Sequence, residues 1–206
     1  MRPSSAFAAR RLNRVLAGGL RCVLLCVAVS LAASAAAPET RAPAGAALLS
    51  ALRAGGYVLY FRHTATDFGQ NDEKMTGFED CANQRNLTDA GRADARASGA
   101  AIRSLGIPVG EVLASPFCRT RETAELIFGR YTVSPDVRVG PELRLLLARK
   151  TPAHVNMAIA SHGNPFVAVV GPPYLAEGEA AVIEPLGNGG FRVVARIRKD
   201  EWVALK

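Results

Sequence analysis

The sequence predicts a three-layer α/β/α sandwich with a mainly parallel central sheet and an antiparallel edge, and three observations carry that expectation. Short, continuously apolar runs alternate with longer stretches of helical composition, the pattern of strands buried on both faces and crossed over by helices. The last two runs, AAVIEP and FRVVARI, are joined by Leu-Gly-Asn-Gly-Gly, which is hairpin chemistry and sets an antiparallel edge. A length of 206 residues with 49% hydrophobic content bounds one ordinary folded domain and excludes a disordered chain.

The chain opens on a segment unlike the rest. Arg2, Arg10, Arg11, Arg14 and Arg21 precede the uncharged run CVLLCVAVSLAASAAA, which ends in small residues of A-x-A type. A basic stretch, a short apolar stretch and a small-residue end predict a signal peptide over residues 1–37, followed by a flexible leader over 38–46 and a domain over 47–206. The apolar run is shorter than the roughly 20 residues of a spanning helix, so an uncleaved anchor is the weaker reading. The expected location is periplasmic or secreted, with no stable membrane span after cleavage. Removing the leader leaves 20 basic against 18 acidic residues, near +2 instead of +7, with no basic run to track phosphates, so nucleic acid is not an expected partner. It also leaves Cys81 and Cys118 as the only cysteines, and in an exported domain the default is one disulfide between them; two separate buried thiols are the alternative.

The elements follow in order. ALLSALRAGG (47–56) is a short helix closed by glycine, and YVLYF (57–61) is a buried strand. Residues 64–86 form a polar, irregular loop dense in donors at Asn83, Gln84, Arg85 and Asn86. LTDAGRADARASGAAIRSLG is a helix with Thr88 or Asp89 as N-cap and Ala93, Ala97, Ala101 and Leu105 on its inner face. EVLAS (111–115) is a strand, RTRETAELIFG (119–129) a helix ended by Gly129, YTVS a third strand, and 142–149 a weak helix. VNMAIAS (155–161) is a buried strand that stops at His162-Gly163-Asn164, and the closing hairpin completes the sheet.

In such sheets ligands sit beyond the carboxyl ends of the strands. Three predicted strands end in Arg62-His63, in Ser115-Pro116-Phe117-Cys118-Arg119 and in His162-Gly163. Each of these residues alone fits a surface charge or a satisfied core histidine; four of them in order at one predicted edge do not. A three-histidine metal site would need His154, which lies before its strand, and HExxH spacing is absent, so no metal and no cofactor are expected. A serine hydrolase would want GxSxG, also absent. Two guanidiniums flanking two imidazoles describe a pocket for a tetrahedral dianion, in which an imidazole can attack phosphorus and form a phosphohistidine.

FRHTATD resembles the Arg-His-Gly-x-Thr signature of the histidine phosphatase superfamily, also called phosphoglycerate-mutase-like, with Thr64 where glycine is usual. LTDAGRADA, VLASPFCRTRETAEL and SHGN are similar to its later segments, in the right order across residues 50–200. The resemblance implies His63 as nucleophile, Arg62 and Arg119 as phosphate ligands, and His162 as the second histidine. Thr66 falls at the signature threonine, and Asn83, Gln84 and Arg85 are candidates for substrate contact. Thr88, Asp89 and Thr123 read as capping and packing residues.

Relatives often supply a general acid from a glutamate in a Leu-Arg-Glu segment, but PELRLLL has Leu145 there. Asp67 and Glu142 are the replacement candidates, with Glu177 and Glu179 as further ones. Too few residues separate the third and fourth strands for an inserted cap domain, so the resemblance implies an open site. The resemblance implies an exported, metal-independent phosphomonoesterase acting on a phosphorylated small molecule or an envelope glycan, such as a lipopolysaccharide sugar phosphate. A phosphohistidine-protein phosphatase and a non-catalytic phosphate- or phosphoglycan-binding module are the alternatives.

Overall fold

The computed structural model describes residues 44–205. The expected signal peptide and most of the expected leader lie outside them.

β1 (Val58–Arg62) is the centre of a six-stranded sheet. Around it stand β2 (Val109–Ala114), β3 (Thr132–Val133), β4 (Asn156–Ser161), β5 (Ala180–Pro185) and β6 (Phe191–Ile197), in the order β3-β2-β4-β1-β5-β6. β1 pairs in parallel with β4 from Val58↔Met157 to Arg62↔Ser161, and β2 pairs in parallel with β4 and β3. β5 runs antiparallel to β1, and β6 antiparallel to β5, which gives the expected edge. The alternation of β1 divides the interior into two layers. Leu59 and Phe61 join α1 (Gly45–Ala54), α2 (Asp89–Ser104), the end of α3 (Cys118–Phe128) and Trp202 on one side. Val58 and Tyr60 join α4 (Gly140–Ala148), Phe166 of α5 (Gly163–Val170) and Leu175 on the other. No helix of the described residues is long and apolar enough to cross a membrane.

Three details depart from the sequence-based expectations. α1 begins at Gly45, two residues inside the expected leader, and ends before Gly55, whose φ of 80° suits glycine. Thr88 caps α2 by accepting from the Gly91 N–H, but Ala93 and Ala97 face solvent. Ala101 and Leu105 are buried as expected, but the rest of the buried face runs through Gly91, Ala95, Ser98, Gly99 and Ile102, because backbone proximity as well as apolar bulk decides it: a Cβ on Gly99 would lie 2.4 Å from the Ile127 carbonyl oxygen. α5 was not expected at all, since GNPFVAVV is β-branched and holds Asn-Pro; the proline sits in the first turn, where no N–H is needed.

Candidate active site

The parallel strands deliver their carboxyl ends to one place. His63 follows β1 and its N–H donates to the Ser161 carbonyl of β4 (3.0 Å), while Ser115 follows β2 and is hydrogen-bonded through Oγ to His162 Nε2 (2.8 Å). The two imidazoles face each other edge to face at 5.6 Å between ring centres. A cavity of about 280 Å³ opens over them, lined also by Arg62, Arg85, Arg119, Arg138, Phe117 and Tyr174.

His63 is 2% exposed, and its Nδ1–H donates to the Thr64 carbonyl at 2.9 Å. That bond places the proton on Nδ1 and leaves Nε2 as a lone-pair nitrogen. Burial, together with Arg119, Arg62 and Arg85, lowers the His63 pKa from 6.5 to about 3, against the opposing pull of the Thr64 bond. Burial and the neighbouring His63 and Arg119 lower His162 to about 2. Both rings are therefore neutral at physiological pH. Thr64 stands in for the usual glycine without strain, because its φ is not positive, and its N–H reaches the Thr123 hydroxyl (3.3 Å).

The arginines are held individually. Arg62 donates to the Leu175 carbonyl (2.7 Å), pairs with Glu177 (3.5 Å) and lies 5.0 Å over the Tyr174 ring. Arg119 is 5% exposed and pairs with Asp72 at 2.9 Å. Burial acts to raise the Asp72 carboxyl, but hydrogen bonds from the Arg119 guanidinium and the Arg85 backbone N–H outweigh it and hold it below the usual carboxylate range. Nε of Arg62, Arg85 and Arg119 is buried without a hydrogen-bond partner.

The structure thus brings Arg62, His63, Arg85, Arg119 and His162 into one cavity and leaves the remaining candidates outside it. Thr66 turns its hydroxyl to Glu177 (2.8 Å). Asn83 bonds Asp80, and Gln84, 1% exposed, ties the Phe78 carbonyl to the Cys118 N–H, so both stabilise the loop. Asp67 is exposed and accepts from Gly69 N–H (2.8 Å). Glu142 and Leu145 both lie on the outer side of α4 beside Asp136, so neither reaches the cavity and the usual glutamate position is not part of this site. Glu179 is committed to Arg196 (2.6 Å). Glu177 lies 3.9 Å from His63 Nδ1. Arg138, Phe117, Tyr174 and Asp72 escaped the sequence reading, since nothing in their local patterns sets them apart. Cys81 and Cys118 form the expected disulfide, one residue before Arg119.

Parallel strand ends that present two neutral imidazoles among guanidiniums define an α/β protein with a pocket for a phosphoryl group. Residues 58–145 match the sequence profile of the histidine phosphatase superfamily (branch 1), the superfamily that the sequence resembles. That segment holds Arg62, His63 and Arg119; His162 lies beyond it and is brought in by the fold. Among solved structures, SixA of Agrobacterium tumefaciens, assigned as a phosphohistidine phosphatase, is 17% identical, with a TM-score of 0.52 over 69% of this chain and 97% of its own. A protein histidine phosphatase SixA complexed with tungstate is 18% identical, with a TM-score of 0.51 over 69% of this chain and 97% of its own. A mycobacterial hydrolase is 12% identical, with a TM-score of 0.52 over 68% and 98%. These likenesses show the fold. No curated protein sequence matches the chain.

Proposed function

We propose that the protein is a metal-independent phosphomonoesterase that works through a phosphohistidine on His63. The observation that carries this reading is the His63 ring itself: neutral, with its proton fixed on Nδ1 by Thr64 and its Nε2 free beside Arg62, Arg119 and His162. In the first displacement Nε2 bonds to phosphorus as the ester P–O bond breaks, and the leaving oxygen departs as an oxyanion that takes its proton from solvent water. In the second, water attacks the phosphorus, the P–N bond breaks, and inorganic phosphate and the neutral imidazole are restored. Arg62, Arg119 and His162 stabilise the charge on the phosphoryl oxygens throughout.

Glu177 fits a positioning role better than that of proton donor. It faces Nδ1, whereas the leaving oxygen stands in line with Nε2 on the far side of phosphorus. With no carboxyl group among the cavity-lining residues, aryl phosphates should turn over much faster than alkyl phosphates, which lose the general-acid help worth about 10² to 10⁴. The same feature favours a second reading, a phosphohistidine-protein phosphatase, as in the SixA proteins of similar fold, because imidazole departs with little acid assistance. The leader pattern and the disulfide favour an exported enzyme acting on phosphorylated envelope glycans, including lipopolysaccharide sugars.

The test is turnover of para-nitrophenyl phosphate by the chain from residue 38, with EDTA present, against His63→Ala. Activity that survives EDTA and vanishes in the variant is the expected result. Loss with EDTA and rescue by a metal ion would overturn the mechanism. Phosphate release from purified lipopolysaccharide, compared with release from a phosphohistidine protein, separates the two substrate readings.

A further inference from the structure

The segment over residues 173–179 supports the catalytic end of β1 from one side, although it contains no helix or strand of its own. Its Leu175 carbonyl accepts from the Arg62 guanidinium (2.7 Å), Glu177 pairs with the same guanidinium (3.5 Å), and the Tyr174 ring lies beneath it at 5.0 Å. Tyr174 reaches the other histidine as well: its hydroxyl donates to Asn164, and a Cβ on Gly163, the residue after His162, would fall 2.1 Å from its ring. The backbone of the segment pairs with β1 at its far end, where Gly178 N–H donates to the His63 carbonyl (3.0 Å) and Arg62 N–H to the Glu179 carbonyl (3.1 Å).

Arg196 of β6 holds this segment from behind. The β5–β6 register sets Arg196 opposite Ala181, two residues past Glu179. Its guanidinium donates to the Pro173 carbonyl (2.8 Å), the Tyr174 carbonyl (2.7 Å) and both oxygens of the Glu179 carboxylate (2.6 and 2.9 Å). Glu179, 8% exposed, extends the tie by accepting from the Ala176 N–H (2.7 Å). Burial acts to raise the Glu179 carboxyl, but the Arg196 and Ala176 bonds outweigh it and hold it below the usual carboxylate range. One planar fork therefore fixes both ends of the segment, which the compact charge of a lysine could not do. Arg196 itself is not among the residues that line the cavity.

Resting on the phosphatase reading, we infer that Arg196, from the edge strand, is a positioning residue of the reaction: it holds residues 173–179 so that Leu175 and Glu177 keep the Arg62 guanidinium aimed at the phosphoryl group. Without the fork, the Pro173 and Tyr174 carbonyls and the buried Glu179 carboxylate lose their donor, the segment relaxes, and Arg62 moves with it. A displacement of about 1 Å in a group that orients the substrate is enough to cost about 10²-fold in rate.

The experiment compares wild type with Arg196→Gln in turnover of para-nitrophenyl phosphate and in calorimetric binding of inorganic phosphate, with circular dichroism reporting the folded state. The expected result is a kcat/KM lower by about 100-fold with a raised KM, and phosphate bound about tenfold more weakly. A mere loss of folded protein lowers kcat and the binding stoichiometry but leaves KM and Kd unchanged, so affinity is the reading that a structural role does not move. Arg196→Lys keeps the charge opposite Glu179 without the fork, guards against a variant that fails to fold, and should show both changes in smaller measure. On an Arg62→Lys background, Arg196→Gln should change phosphate affinity by less than about twofold, since no guanidinium is left to aim. Wild-type turnover with unchanged KM and phosphate affinity in the folded variants, or with an equal loss on the Arg62→Lys background, overturns the role and leaves the phosphatase reading standing; failure of both Arg196 variants to fold likewise makes Arg196 structural and overturns it. Phosphate binding that weakens through Arg62 while the wild type shows no turnover supports the positioning and sinks the phosphatase reading; neither binding nor turnover sinks both.

Discussion

His63 and His162 stay neutral because the fold withholds water from them, and this has a consequence for stability as well as for reactivity. Their folded pKa values of about 3 and 2 lie below the ordinary 6.5. Above that value neither state binds the proton, and the two rings do not make stability pH-dependent. As pH falls from about 6.5 toward 3, the unfolded chain takes up protons that the folded one refuses, so stability falls. Urea denaturation at pH 7.5 and pH 5 should show the difference between the two conditions shrink by about 2 kcal/mol in His162→Gln. A second residue-scale prediction concerns Glu177, which receives the Thr66 hydroxyl and faces His63 Nδ1. As a positioning residue, its replacement in Glu177→Gln should lower kcat by about 10- to 100-fold with little change in KM, and equally for aryl and alkyl phosphates. A proton donor would instead lose alkyl turnover selectively. His63, Arg62, Arg119 and His162 were legible from sequence because strand ends are: a buried apolar run that stops at a charge announces where the chain emerges. Asn83, Gln84 and Asp67 were not, because an irregular loop carries no period from which a side chain's direction can be read.

At the scale of elements, glycine decides what apolar periodicity could not. Gly91 and Gly99 lie eight positions apart on one face of α2, and each lets a neighbouring backbone come closer than a methyl group allows. A Cβ on Gly91 would fall 2.2 Å from the Ala65 carbonyl oxygen, and one on Gly99 would fall 2.4 Å from that of Ile127. Both alanine variants should destabilise the fold by about 1–3 kcal/mol. Their effects on activity should separate: Gly91→Ala presses on the segment two residues past His63 and should lower kcat, whereas Gly99→Ala presses on the end of α3 and should not. Denaturation midpoints and aryl phosphate kinetics on the two proteins check this. Every strand was legible, since apolar runs bounded by turn residues have few other uses, while α5 was hidden by its β-branched composition and is held by the Phe166 packing against Tyr60 at 4.9 Å between ring centres.

The whole molecule is organised around one covalent tie between its least regular segment and its most important helix start. The loop over residues 64–86 has little secondary structure beyond a short turn at Cys81–Asn83, yet it contributes Arg85 to the cavity and Asp72 to Arg119. Cys81–Cys118 fastens that loop to the first residue of α3, next to Arg119, and non-covalent ties reinforce it: Gln84 to the Cys118 N–H (3.0 Å) and Arg121 to Glu79 (2.7 Å). With a sequence separation of 37 residues, the bridge contributes about 3 to 4 kcal/mol in the chain-entropy model. Reduction removes that constraint from the unfolded state and leaves the non-covalent ties to position Arg85 and Asp72. The expected outcome for Cys81→Ser/Cys118→Ser, or for wild type in dithiothreitol, is therefore a folded protein with a lower denaturation midpoint and a raised KM for phosphate esters. The His63 chemistry should persist, because its N–H is held by Ser161 of β4 and its Nδ1–H by Thr64, which adjoins β1 at the end of the loop remote from Cys81. A reduced protein with unaltered KM would show instead that Gln84 and Arg121 suffice to hold the loop.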